Sequence, residues 1–198
     1  MKKQSEKTAL SAIENAKLIP AMLETTTLLE EIRSLIESAR RRTATAINKE
    51  MVLLYWHIGE RIRRDTLGQE RADYGKRIVQ MLSERLTTEY GRGFTRTNLF
   101  NMIRFAEVFP EKEIVHALSG QLSWTHFREI IYLEDNLKRD FYAEMCRIER
   151  WSTRTLHAKI QGMLYERTVL SKKSEELITK ELAALREEDR MTNRGVKG

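Results

Sequence analysis

A single cysteine, Cys146, stands in a chain of 198 residues, so no disulfide can close within it and no paired-cysteine metal pattern is present. Proline is almost as scarce: Pro20 and Pro110 both fall at apparent helix boundaries, and nine glycines supply the remaining punctuation. So few breakers among so many periodic segments predict an all-α protein. No apolar run approaches the roughly eighteen residues of a spanning helix, and residues 1–19 carry basic residues without the apolar core of a signal peptide. The expectation is a cytoplasmic protein with no membrane partner.

The sequence also lacks recognisable chemistry. There is no Gly-rich phosphate loop and no His-Glu-x-x-His, and His57, His116, His126 and His157 are widely scattered. Metal-dependent nucleases commonly use an acid followed two residues later by lysine, the carboxylate holding Mg²⁺ and the ammonium serving water or phosphate. No Asp-x-Lys, Glu-x-Lys or Gln-x-Lys triplet occurs anywhere in the chain. The expectation is therefore no cofactor, no metal and no catalysis.

What is present is a globular apolar content of 41%, a charged content of 32% and a formal net charge of +6. The pI near 9.5 favours polyanionic partners, although moderate basicity alone is weak grounds for nucleic-acid binding.

Residues 1–27 read as a flexible arm or short helix, with weak spacing at Leu10, Ile13 and Lys17 that ends at Pro20. From Leu28 the helical pattern is strong: Leu28, Leu29, Ile32, Leu35, Ile36 and Ala39, then Ala46, Ile47, Met51, Leu54, Tyr55, Ile58 and Ile62. One long helix, or two nearly collinear ones, should end near Gly68. A helix of ~40 residues spans ~60 Å, more than one small bundle covers. Part of its stripe should meet a partner helix, which suggests a homo-oligomer such as a dimer. Arg40, Arg41, Arg42, Arg61, Arg63 and Arg64 lie on its polar side and are what a solvated face usually looks like. Gly59 should allow a close helix approach, Tyr55 and Trp56 need partners for their polar tips, and His57 reads as structural.

The stretch from Gly91 to Ala106 organises the middle of the chain. Tyr74 to Tyr90 reads as an amphipathic helix with Ile78, Met81, Leu82 and Leu86 inward, and glycines close it. Thr95 is placed to cap the next helix, whose Leu99, Met102, Ile103 and Ala106 form one stripe. Its other side carries Arg96, Thr97, Asn101 and Arg104, side chains suited to phosphates and base edges. This helix, Gly turn and helix could read DNA or could be ordinary helical core. A related start appears at Arg150-Trp151-Ser152: in both stretches an aromatic precedes a hydroxyl cap, with Leu four and Ile eight residues beyond it. Chance recurrence of a common capping pattern competes with a true repeat. The candidate nucleic-acid-binding set is Arg92, Arg96, Thr97, Asn101, Arg104, Arg150, Arg154 and Lys159.

Between and beyond these, Glu111 to Leu118 reads as a short apolar turn. Ser123 or Thr125 can cap a helix bearing Phe127, Ile130, Ile131 and Leu133. Another helix from about Leu137 should turn Phe141, Met145 and Ile148 inward, with Tyr142 near that stripe. A last helix from Ser174 carries Leu177, Ile178, Leu182 and Leu185 and an i,i+4 pair of Glu176 with Lys180, before a loose tail at 191–198. The predicted architecture is a multi-helix bundle, a single domain over residues 28–190, with one long N-terminal helix and a helix-turn-helix-like unit.

Several stretches together resemble the N-terminal domain of the YhcG-like family of bacterial proteins. They are Ile32-Arg33 with Ala39-Arg40, Asn48 with Leu54 to Gly59, Tyr74-Gly75 leading to Leu82, and Gly93-Phe94-Thr95 with Asn98-Leu99 and Met102. Trp124-Thr125-His126 and Trp151-Ser152 with Leu156 complete the set, over roughly Leu28 to Met191. The resemblance implies a helical DNA-binding or assembly module, normally followed by a C-terminal PDDEXK nuclease domain, in a family associated with recombination and restriction-type defence. The chain stops at Gly198, so that domain is expected to be absent. The resulting expectation is a non-catalytic DNA-binding module that positions a nuclease domain or restriction-type subunits. The alternative is a protein–protein interaction or dimerisation module without DNA contact.

Overall fold

A computed structural model of the protein describes the backbone of residues 2–67, 72–172, 179–180 and 182–184, and the side chains of residues 26–65, 73–170, 179–180 and 182–184. Every described element is helical, as the breaker-poor sequence predicts: α1 (Lys2–Leu67), α2 (Ala72–Tyr90), a 3-10 turn (Arg92–Phe94), α3 (Arg96–Val108), α4 (Lys112–Leu118), α5 (Trp124–Ile130), α6 (Asn136–Glu149), α7 (Thr153–Gln161) and α8 (Leu164–Lys172). The long N-terminal helix is present. Pro20 lies inside it rather than ending it. The chain divides into two compact units, Met1–Ala44 and Thr45–Gly198.

In the first unit the described side chains belong to α1 alone. Leu28, Leu29, Ile32, Leu35 and Ile36 are exposed. Arg40 is held to Glu37 at 3.1 Å and Arg42 to Ser38 at 2.7 Å, both local helix contacts.

In the second unit, residues from Asn48 to Ile62 give α1 a buried face. The Asn48 side-chain amide donates to the carbonyls of Ser119 (3.1 Å) and Leu122 (3.0 Å), closing the turn after α4. Trp56 Nε1 donates to the Phe109 carbonyl at 2.7 Å, just past the end of α3. Between them Gly59 meets α3 backbone to backbone: a Cβ there would lie 1.8 Å from the Met102 carbonyl oxygen. Around this crossing Tyr55, Ile62, Val79, Leu99 and Met102 form one buried cluster. Val52, Trp56 and Phe105 join Leu122, Phe127, Ile130, Tyr142 and Leu156 in the larger one. Phe105 is its aromatic centre, 4.5 Å from the Phe127 ring and 5.7 Å from that of Phe109.

Tyr142 ties the later helices together. Its hydroxyl donates to the Lys159 carbonyl on α7 and accepts from the Tyr165 N–H on α8, each at 3.2 Å. Lys138 and Glu166 pair across α6 and α8, which holds the Glu166 carboxyl below its ordinary range. Cys146 is buried in the same core, and desolvation pushes its thiol up to about 12.

Several side-chain assignments differ from the periodicity reading. Met81 is 57% exposed, while Val79 takes the inward place beside Leu82 and Leu86. Ile148 is 49% exposed because α6 buries the Phe141–Tyr142–Cys146 side instead. The stretch after Pro110 is a helix, α4, rather than a turn. Helix α8 falls where no helix was expected. Of the final helix predicted from Ser174, most residues, like the 191–198 tail, lie outside the described ones; Leu182 is described and buried.

Candidate nucleic-acid interface

The turn before α3 depends on Gly91, whose φ of +90° an L side chain rarely adopts. Its N–H closes α2 on the Thr87 carbonyl at 3.0 Å, and the Phe94 N–H donates back to the Gly91 carbonyl at 3.3 Å. Phe94 packs edge-on to Tyr90 and Tyr55. Thr95 occupies the N-cap position of α3, but its hydroxyl makes no capping bond. Asn98 braces this turn instead: its amide N–H donates back to the Gly93 carbonyl, and its oxygen accepts from Trp124 Nε1 at 3.0 Å.

Trp124 is the first residue of α5, so the start of α3 is pinned to the start of α5. There Ser123 and His126 form a reciprocal cap. His126 Nδ1 accepts from the Ser123 N–H at 3.1 Å, which leaves Nε2 as the N–H that donates to the Trp151 carbonyl at 2.9 Å. Trp151 immediately precedes α7, where Ser152 Oγ accepts from the Thr155 N–H at 3.1 Å. Three helix starts are thus joined by side-chain hydrogen bonds.

The basic residues proposed from sequence separate into two groups on this frame. Arg92, Arg96 and Thr97 are exposed around the start of α3, and the Arg96 guanidinium lies 5.0 Å from the Phe100 ring centroid. Arg150, Arg154 and Lys159 are exposed around α7; Arg150 is in the left-handed conformation closing α6, and the Lys159 ammonium sits 5.7 Å from the Trp151 ring centroid. Arg128 is exposed on α5, the helix that packs against both α3 and α7; the sequence does not single it out, because one arginine in a short helix carries no periodic signal.

Asn101 and Arg104 do not join the exposed set. Asn101 is 3% exposed and accepts from the Tyr132 hydroxyl. Arg104 Nε donates to the Ile131 carbonyl at 2.7 Å, with its guanidinium over the Tyr132 ring at 5.1 Å. The helical wheel placed them opposite the apolar stripe of α3, but the end of α5 packs there and uses their polarity internally. Acidic groups also occur in this region: Glu129 on α5 pairs with His157 on α7 at 3.1 Å.

Among the described residues, no group of three or more His, Cys, Asp or Glu side chains is placed to hold a metal ion. No helix among them is long and apolar enough to cross a membrane.

Comparison with known proteins places this architecture in a family. The protein named "Putative nuclease YhcG" from Escherichia coli (strain K12) is 29% identical over 167 residues, which are 69% of this chain and 44% of that protein. The chain therefore spans less than half the length of the relative it matches. No solved structure matches it. The family model described as the DUF1016 N-terminal domain matches residues 31–167, the greater part of the chain, and the protein belongs to that family.

Proposed function

We propose that the second unit is a DNA-binding module, without catalysis of its own, that positions a nuclease on duplex DNA. The carrying observation is the chain of hydrogen bonds from Gly93 through Asn98 and Trp124, and from His126 to Trp151. It ties the start of α3 to the start of α7, which supports a set spacing between Arg92 and Arg96 on one side and Arg150, Arg154 and, in the last turn of α7, Lys159 on the other. The name of the E. coli relative supports a nuclease context; recombination or restriction-type defence is the setting that the family resemblance implies.

With Asn101 and Arg104 engaged internally, only Arg96 and Thr97 on the first turn of α3 remain of the proposed base-reading residues. Binding should then be dominated by phosphate contacts, with little sequence discrimination. Five cations on phosphates give a slope of log K against log salt of about −4 to −5. Fluorescence anisotropy with duplex DNA across a salt series reads that slope directly. No binding at low salt would reject the assignment.

A further inference from the structure

Tyr90 occupies a core-facing position of α2 and is not covered there. Val79, Leu82 and Leu86 pack the side of that helix that meets α3, and Tyr90 follows at the same spacing, four residues after Leu86. Yet Tyr90 is 68% exposed. Helix α3 begins only at Arg96, so Tyr90 meets Phe94 of the preceding turn instead of a helix.

The ring is nevertheless held. Its centroid lies 6.0 Å from that of Phe94 at an interplanar angle of 69°, and Phe94 is in turn edge-on to the buried Tyr55 at 6.3 Å. Edge-on packing of this kind occupies at most one face of the Tyr90 ring. The adjoining backbone is open as well, since a Cβ at Gly91 would meet nothing within 4 Å.

The charges near the ring favour one kind of ligand. Phe94 lies midway in the chain between Arg92 and Arg96, both exposed. The neighbouring carboxylate, Glu89, falls about 100° round α2 from Tyr90. A flat aromatic face with guanidinium groups beside it fits a nucleobase flanked by its phosphates. Inside a duplex every base face is already stacked, so such a ring selects bases that have left the duplex.

We propose that Tyr90 stacks on an unpaired base at the point where a single strand leaves the duplex, while Arg92 and Arg96 hold the phosphates on either side of it. This rests on the DNA-binding reading of the second unit and narrows its substrate to duplex DNA carrying a single-stranded extension.

Anisotropy titrations of the full chain test it against a blunt duplex, the same duplex with a short single-stranded extension, and that duplex with an abasic extension of equal length. The two extensions carry the same phosphates, so only contact with the bases separates them. The native chain should bind the base-bearing extension about tenfold tighter than the abasic one. Tyr90→Phe keeps the ring and should keep that difference, whereas Tyr90→Leu should abolish it. The side chain is exposed, so both variants should unfold in urea near the native midpoint. Equal affinity of the native chain for the two extensions overturns the inference while leaving duplex binding standing. A preference that survives in Tyr90→Leu also overturns it, since another side chain then takes the base. Failure to bind any of the DNAs at low salt rejects the DNA-binding reading itself, and the inference falls with it.

Discussion

Gly59 and Met102 meet where no side chain can come between them: the Cβ that Gly59 lacks would stand 1.8 Å from the Met102 carbonyl oxygen and 2.9 Å from the Ile103 nitrogen. Both atoms belong to backbone, so neither can swing aside. Gly59→Ala must separate α1 from α3 and loosen the cluster around Leu99. The expected loss is about 3 kcal/mol of unfolding free energy, the upper part of the usual overpacking range, measured by urea denaturation.

Asn48 closes two carbonyls at once, and one of them belongs to the fully buried Ser119. Asn48→Ala leaves both without that donor, which costs about 1–3 kcal/mol. Asn48→Asp should be no better, because a carboxylate presents only acceptors to two carbonyl oxygens. Denaturation midpoints of the two variants check this, and recovery of stability in the aspartate variant would contradict it.

Asn98 offers a way to disturb the spacing of the two basic helix starts without removing a charge. Asn98→Ala breaks its bonds to Gly93 and Trp124. Stability should fall by about 1–2 kcal/mol, and DNA affinity should fall several-fold while the salt slope stays near that of the native chain. Arg96→Ala should behave in the opposite way, leaving stability nearly unchanged and reducing the slope by about one. Anisotropy and thermal melts on the same two variants separate these effects.

Burial raises the Cys146 thiol from 9.0 to about 12. Below the unfolded value the thiol is neutral in both states, and the full stabilisation from keeping it neutral is present. As pH rises from there toward the folded value only the unfolded chain ionises, so stability falls by up to ~1.4 kcal/mol per unit from this group. Denaturation series between pH 8 and 10 should show the decline, and Cys146→Ala should remove that share of it. Thiol labelling at pH 8 should likewise be slow in the native chain and fast in urea.

Much of the fold was legible because helical spacing and scarce breakers are local signals. Gly59 announced a close approach because no other residue in the apolar turn around it could permit one. Burial on individual faces was less legible. Val79 and Met81 are both apolar and two residues apart, and only the position of α3 decides which turns inward. The same limit explains Asn101 and Arg104. A helical wheel shows them opposite Leu99, but it cannot show that α5 ends there and takes up their hydrogen bonds. Asn98 and His126 carried the resemblance to the family without revealing a role. Their work is a chain of hydrogen bonds between segments 25–26 residues apart, which spacing alone does not encode.

The proposed function has two basic helix starts, fixed to one another, engage one DNA duplex. Its most direct measurement is a paired charge removal, Arg92→Ala with Arg96→Ala at α3 and Arg150→Ala with Arg154→Ala at α7, each titrated against the same duplex over a salt series. Each pair should lower the slope by about two, and the four changes together should lower it by about four. Unchanged affinity and slope in either pair, with the fold intact, would contradict it.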